Sequence, residues 1–139
     1  MHLPRLFFGG LSFVSIALLS GCSKTAESAP QPGTIPPPAE KANVTYNVDI
    51  KPIFEASCVE CHGEEKQKGE LRLDSKEAAI KGGEEGPIFA VGKSGESILI
   101  ETISRVGDEE NWMPPIDKGE PLTLEQIALI RAWIDQGAN

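Results

Sequence analysis

An all-α domain of a few short helices is the fold class this sequence predicts, and three observations predict it. Apolar residues recur at three- and four-residue spacing in two places, Ile50–Ile53–Phe54 and Ile127–Ile130–Ile134. That spacing puts each set on one helix face. Thr123 and Gln126 form a capping-box pattern at the head of the second set, with each side chain able to satisfy a backbone N–H that the helix leaves free. The segments around the cysteine pair of the chain, SCVECH at 57–62, show no parallel-sheet pattern.

The chain has 139 residues, enough for one domain. Residues 1–21 read as a bacterial lipoprotein signal peptide. Arg5 is the one positive side chain ahead of an uncharged, mostly apolar run from Leu6 to Leu19, which is short for a bilayer span and suits a secretory h-region. Leu19-Ser20-Gly21-Cys22 then resembles a lipobox, which implies cleavage before Cys22 and lipidation of its thiol. Several acyl chains anchor a protein well, because each buried methylene adds transfer energy. Ser23 follows rather than Asp, which favours the outer membrane by the sorting rule of enteric bacteria. From Cys22 to residue 43 the chain reads as a linker. Five prolines (Pro30, Pro32, Pro36, Pro37, Pro38) stand among small and polar residues, too few of them large and apolar to pack a core. Roughly 20 such residues reach on the order of 60 Å from a membrane.

Residues 44–139 remain as the folded domain. Asp49 is a candidate cap for a first helix, and Pro52 is tolerable only in its first turn. Lys68–Asp74 alternates Leu71 and Leu73 as an extended piece. Asp74 with Glu77 reads as a capping box for a helix near 75–81, ended by Gly82. A third helix is expected at 97–104, carrying Ile98, Leu99, Ile100 and Ile103. A loop rich in Gly, Pro and Asp follows, containing Trp112-Met113-Pro114-Pro115. The last helix runs from Thr123 to a stop at Gly137, with Trp133 expected to pack against the first helix and the core.

The formal charge is −8, and removal of Arg5 makes the mature chain one unit more negative. A nucleic-acid partner is excluded as the default, because phosphates need a basic footprint. The same acidity suits a redox partner protein with a basic docking surface, or serves solubility alone. No Ser/His/Asp set, phosphate loop or paired-carboxylate geometry argues for a hydrolase. The adjacent acids Glu84-Glu85 and Glu109-Glu110 read as solvated.

SCVECH admits four readings: a disulfide, part of a zinc site, a redox dithiol, or a haem attachment site. With Cys22 lipidated, Cys58 and Cys61 are the two thiols left, and His62 is the one histidine, since His2 leaves with the signal peptide. A structural zinc site needs four ligands, and a thioredoxin-like pair wants a βαβ setting. A plain disulfide suits an oxidising compartment but leaves His62 unexplained. The haem reading uses every residue: each thiol adds across one vinyl group, and the next residue's imidazole comes under the iron. By elimination the second axial ligand is Met113, the one methionine of the mature chain. A thioether is a soft ligand that raises haem potential, against the ordinary role of Met as core filler. Lys118 is the nearest rival ligand. Pro87 is a candidate acceptor for the N–H of His62 or a residue that only shapes a turn, and Arg105 and Trp112 are candidates for contact with haem propionates, against the ordinary place of a lone Arg at the surface.

The stretches PIFEASCVECHG, KGELRLDS, KGG, GP, SILI, MPP and LTLEQIALIRAWIDQGA, spanning Asp49 to Ala138, resemble the planctomycete-type single-haem cytochrome c domain. The resemblance implies an all-α cytochrome c-like fold whose first and last helices cross. It also implies one covalent haem c, with Cys58 and Cys61 as thioether sites and His62 and Met113 as iron ligands. The expected function is that of a lipid-anchored, periplasm-facing electron-transfer protein rather than an enzyme. The alternative is a haem-based sensor, or a haem subunit of a larger oxidoreductase, with a labile sixth ligand.

Overall fold

A computed structural model describes residues 31–139. The signal peptide, Cys22 and the first part of the linker lie outside the described residues. Among the described residues four α-helices carry the fold: α1 Lys51–Ser57, α2 Lys76–Lys81, α3 Ile98–Ile103 and α4 Leu124–Asp135. Among the described residues there are isolated β-bridges but no strand. The expected all-α fold is therefore observed. No helix among these residues is long and apolar enough to cross a membrane.

The chain begins to wind before α1, in a π-helical turn over Tyr46–Ile50 that runs straight into it. Asp49 therefore sits inside the wound segment rather than capping it. Its carboxylate turns back to accept the Thr45 N–H at 2.9 Å and pairs with Lys41, satisfying a donor that the first turn leaves free. Pro52 has no N–H to return to Val48, and it stands where the winding changes. The cap of α2 also differs from expectation. Ser75, not Asp74, accepts the Ala78 N–H, at 3.3 Å. Asp74 is engaged by the Arg72 guanidinium, which holds its carboxyl below the usual range. Thr123 and Gln126 form the expected capping box on α4.

The core gathers around α4. Ile127, Ile130, Trp133 and Ile134 are buried against Ile50, Phe54, Leu99, Ile100 and Ile103. Each such side chain contributes about 1.5–3 kcal/mol over leaving it exposed. Trp133 lies against Tyr46, Phe54 and Phe89, with ring centroids 5.8, 6.4 and 5.2 Å away. Tyr46 also donates its hydroxyl to the Leu73 carbonyl at 2.8 Å. Burial first, then nearby carboxylates, push its phenol up to about 12, so it remains a donor.

The distal part of the expected linker is not free chain. Gly33 N–H donates to the Ser104 carbonyl and Ala39 N–H to the Ala128 carbonyl, both at 2.9 Å. Arg131 donates to the Pro36 carbonyl, and the Gln136 amide both donates to Lys41 O, at 2.7 Å, and accepts from Val44 N–H, at 2.9 Å. Pro36 is buried. Residues 33–44 thus form a strap tied to α4 and to the end of α3, with Val44 buried in the core. The attachment uses backbone groups and polar side chains, so the shortage of large apolar residues does not prevent it.

Candidate functional site

α1 delivers the chain to Cys58, and the run that follows folds on itself. Cys58 and Val59 both give their N–H to the Phe54 carbonyl, at 2.8 and 2.9 Å. Cys61 and His62 both give theirs to the Cys58 carbonyl, at 3.0 and 2.9 Å. The two intervening residues make one tight turn. Both thiols are free, and both line the same cavity. Gly63 closes the turn: a Cβ there would lie 2.5 Å from the Val59 carbonyl oxygen, a contact only glycine avoids.

His62 comes next into the same cavity. Its Nδ1 lies 3.1 Å from the Lys68 carbonyl oxygen. A carbonyl can only accept, so Nδ1 carries the proton and Nε2 is left with its lone pair for a metal. The acceptor is therefore Lys68, not the candidate Pro87, which is exposed and outside the cavity wall and keeps the turn role that was its alternative. The physical reason is local. The chain returns within six residues, Lys68 N–H binding Cys61 O at 3.0 Å and Leu73 N–H binding His62 O at 2.7 Å, so a nearer carbonyl is already in place. Pro87 instead closes on Gly82, where an added Cβ would lie 2.6 Å from the proline Cα. Burial lowers the pKa of His62, favouring the neutral ring. Burial likewise pushes the Cys58 thiol up to about 12.

Met113 lies on the wall of the same cavity, supplied by the loop after α3. Its N–H donates to the Thr102 carbonyl at 3.2 Å, and the peptide joining it to Pro114 is cis. Leu71, Leu73, Leu99 and Ile103 complete an apolar lining. The cavity holds about 550 Å³, in the range of small-molecule and cofactor sites. Lys118 also reaches it, its ammonium paired with Asp117 at 2.9 Å. Arg105 and Trp112 do not line the cavity; they lie against each other beside the Met113 loop. Among the described residues no group of three or more His, Cys, Asp or Glu side chains converges as a metal site.

The structure thus brings Cys58, Cys61, His62 and Met113 to one cavity. Cys22 lies outside the described residues. Sequence reasoning missed Lys68, which acts through its backbone, and Gly63, whose signal was its position directly after the histidine.

Residues 58–117 match the family model described as Planctomycete cytochrome C. The match supports a planctomycete-type cytochrome c domain in this chain. The match covers the attachment run, the loops, α2, α3 and Met113, while α1 and α4 lie outside it, so it is narrower than the resemblance drawn from Asp49 to Ala138. No curated protein and no solved structure is significantly similar to the chain. The match points to haem-based electron transfer and to haem c as the cofactor. The cavity of this cytochrome c domain fits that group in the chemistry of its walls: two thiols at attachment spacing, an imidazole with a free Nε2, a thioether, and an apolar lining.

Proposed function

We propose that this protein is a monohaem c-type cytochrome that passes single electrons between partner proteins. In this reading Cys58 and Cys61 would hold the group by thioether bonds, and His62 and Met113 would ligate its iron. A lipid on Cys22 anchors the domain to the bacterial envelope, facing the periplasm, with the outer membrane as the expected site. One observation carries the reading: Met113, far from SCVECH in the chain, lines the same apolar cavity as Cys58, Cys61 and His62. The bound haem supplies one-electron redox chemistry. The side chains do the rest. His62 offers Nε2 while Lys68 O holds its other nitrogen protonated, Met113 offers a soft sulfur that raises the potential, and Leu71, Leu73, Leu99 and Ile103 keep water out. With His62 and Met113 both holding the iron, no ligand position would be left for a substrate, which favours an electron carrier over an enzyme.

The oxidised protein is expected to show the weak far-red sulfur-to-iron band, and Met113→Ala to abolish it and lower the potential. A five-coordinate, high-spin wild type would overturn the closed His/Met site, and rapid CO binding to the reduced wild type would favour the sensor.

The partner is proposed to be a redox protein with a basic surface. Glu60, Glu101, Asp108 and Glu110 are exposed on the cavity wall, whereas the one lysine there, Lys118, is paired with Asp117. Ile98, 56 % exposed, adds apolar surface at the same wall. Such a field steers oppositely charged partners, raising association rates by about 10–1,000-fold at low salt. Replacing Glu101 and Glu110 together by lysine is expected to slow electron transfer from a lysine-rich redox protein by roughly tenfold at low salt. A rate independent of both salt and these charges would remove the basic partner from the proposal.

A further inference from the structure

The C-terminal end of α3 closes in a form that ordinarily takes glycine. Arg105 N–H bonds the Thr102 carbonyl at 3.2 Å, and Val106 N–H bonds the Glu101 carbonyl at 2.9 Å. These are the paired bonds of a Schellman end, and Arg105 occupies its left-handed position with φ +56°. Glycine adopts this conformation freely, and a residue with a Cβ is disfavoured there. Two residues on, where φ is +78°, the chain does use glycine, at Gly107. The arginine is also poorly placed for solvation, because its Nε is buried with no hydrogen-bond partner. Neither feature stabilises the fold, so the side chain itself has to account for the choice.

What the side chain touches is the loop that carries Met113, on both sides of it. Arg105 Nη2 donates to the Pro114 carbonyl at 3.2 Å. The same guanidinium lies over the Trp112 ring, its Cζ 5.8 Å from the centroid, within cation–π range. The loop has two other ties to this helix end: Met113 N–H to Thr102 O at 3.2 Å, and Trp112 Nε1 to Gly107 O at 3.1 Å. Pro114 is buried, and Gly119 packs closely on it. Arg105 therefore grips the residues immediately before and after Met113, from a backbone position that favours another residue type.

We infer that Arg105 is a positioning residue for the distal ligand: it fastens the Met113 loop to the end of α3 and sets how often the sixth iron position opens. The inference rests on the proposed ligation by Met113 and names what maintains it. No charge on the iron and no contact of Arg105 with the haem is involved.

Arg105→Gly separates this role from stability, since glycine relieves the backbone while deleting the grip. In the full-length holoprotein it is expected to keep the wild-type thermal midpoint within a few degrees. It should weaken the far-red sulfur-to-iron band and speed CO binding to the reduced form by roughly tenfold, the scale of one charge-assisted hydrogen bond at the low end of its range. Arg105→Lys keeps the charge without the planar fork and should restore part of the effect. A wild type without the far-red band would sink the ligation reading itself. A wild type that shows the band, loses it in Met113→Ala and keeps it at full strength with an unchanged CO rate in Arg105→Gly would overturn the positioning role alone. A much lower midpoint for Arg105→Gly would also overturn it, by showing that the arginine is there for stability.

Discussion

Replacing both Cys58 and Cys61 by alanine is expected to yield a chain that retains no haem through denaturing electrophoresis. The two thiols are free and share a wall of one cavity with His62, so their removal deletes both proposed covalent attachments and leaves His62 and Met113 to hold the group by coordination alone. The consequence extends to stability. The apolar walls around this space of about 550 Å³, Leu71, Leu73, Leu99 and Ile103, would lose the cover of the group, and burial of each such side chain contributes about 1.5–3 kcal/mol. A variant that loses the group must admit water or collapse around the space. The expected result is a broad thermal transition at lower temperature, with weakened near-ultraviolet dichroism and retained helical signal. Single alanine variants keep one proposed attachment each and should retain haem in the gel. A double variant that still carries haem through denaturation would exclude the thioether reading.

What the sequence made legible was what local chemistry encodes. α3 and α4 were expected at their observed places because apolar spacing and the Thr123–Gln126 box are short-range signals. The attachment run and the candidate ligand Met113 followed from motif and elimination. The cap of α2 was displaced by one residue because Asp74 and Ser75 are both good caps, and only the fold reveals that Arg72 occupies the first. The strap at 33–44 could not be anticipated, since it is held by carbonyls and amides together with Arg131 and Gln136, groups with no periodic pattern. The acceptor for His62 was hidden for the same reason: every residue carries a carbonyl, and a sequence does not say which one faces a ring. Arg105 illustrates the converse. Its residue type was visible, but its meaning depends on a positive φ that only the structure supplies.

Trp133→Ala tests whether the core around α4 supports the site. Trp133 is fully buried among Tyr46, Phe54 and Phe89, and its indole N–H donates to the Asn139 carbonyl at 3.0 Å. Truncating a buried aromatic to alanine costs about 3–5 kcal/mol. In a domain of this size each kcal/mol shifts the midpoint by about 4–8 °C, so the holoprotein should melt roughly 15–30 °C lower. Trp133→Phe keeps most of the ring contacts and loses one hydrogen bond, an effect of about 1 kcal/mol plus a smaller packing loss. The route to the site runs through Phe54, whose ring packs edge-on to Trp133 and whose carbonyl fixes the N–H groups of Cys58 and Val59. Loosening Trp133 therefore loosens the end of α1 from which the attachment turn starts. Because the thiols remain, Trp133→Ala should keep its haem in a denaturing gel while melting early, the opposite pairing to that of the double cysteine variant. A midpoint shift under about 5 °C, little more than one kcal/mol, would mean that α4 and α1 are held together by something other than this aromatic cluster.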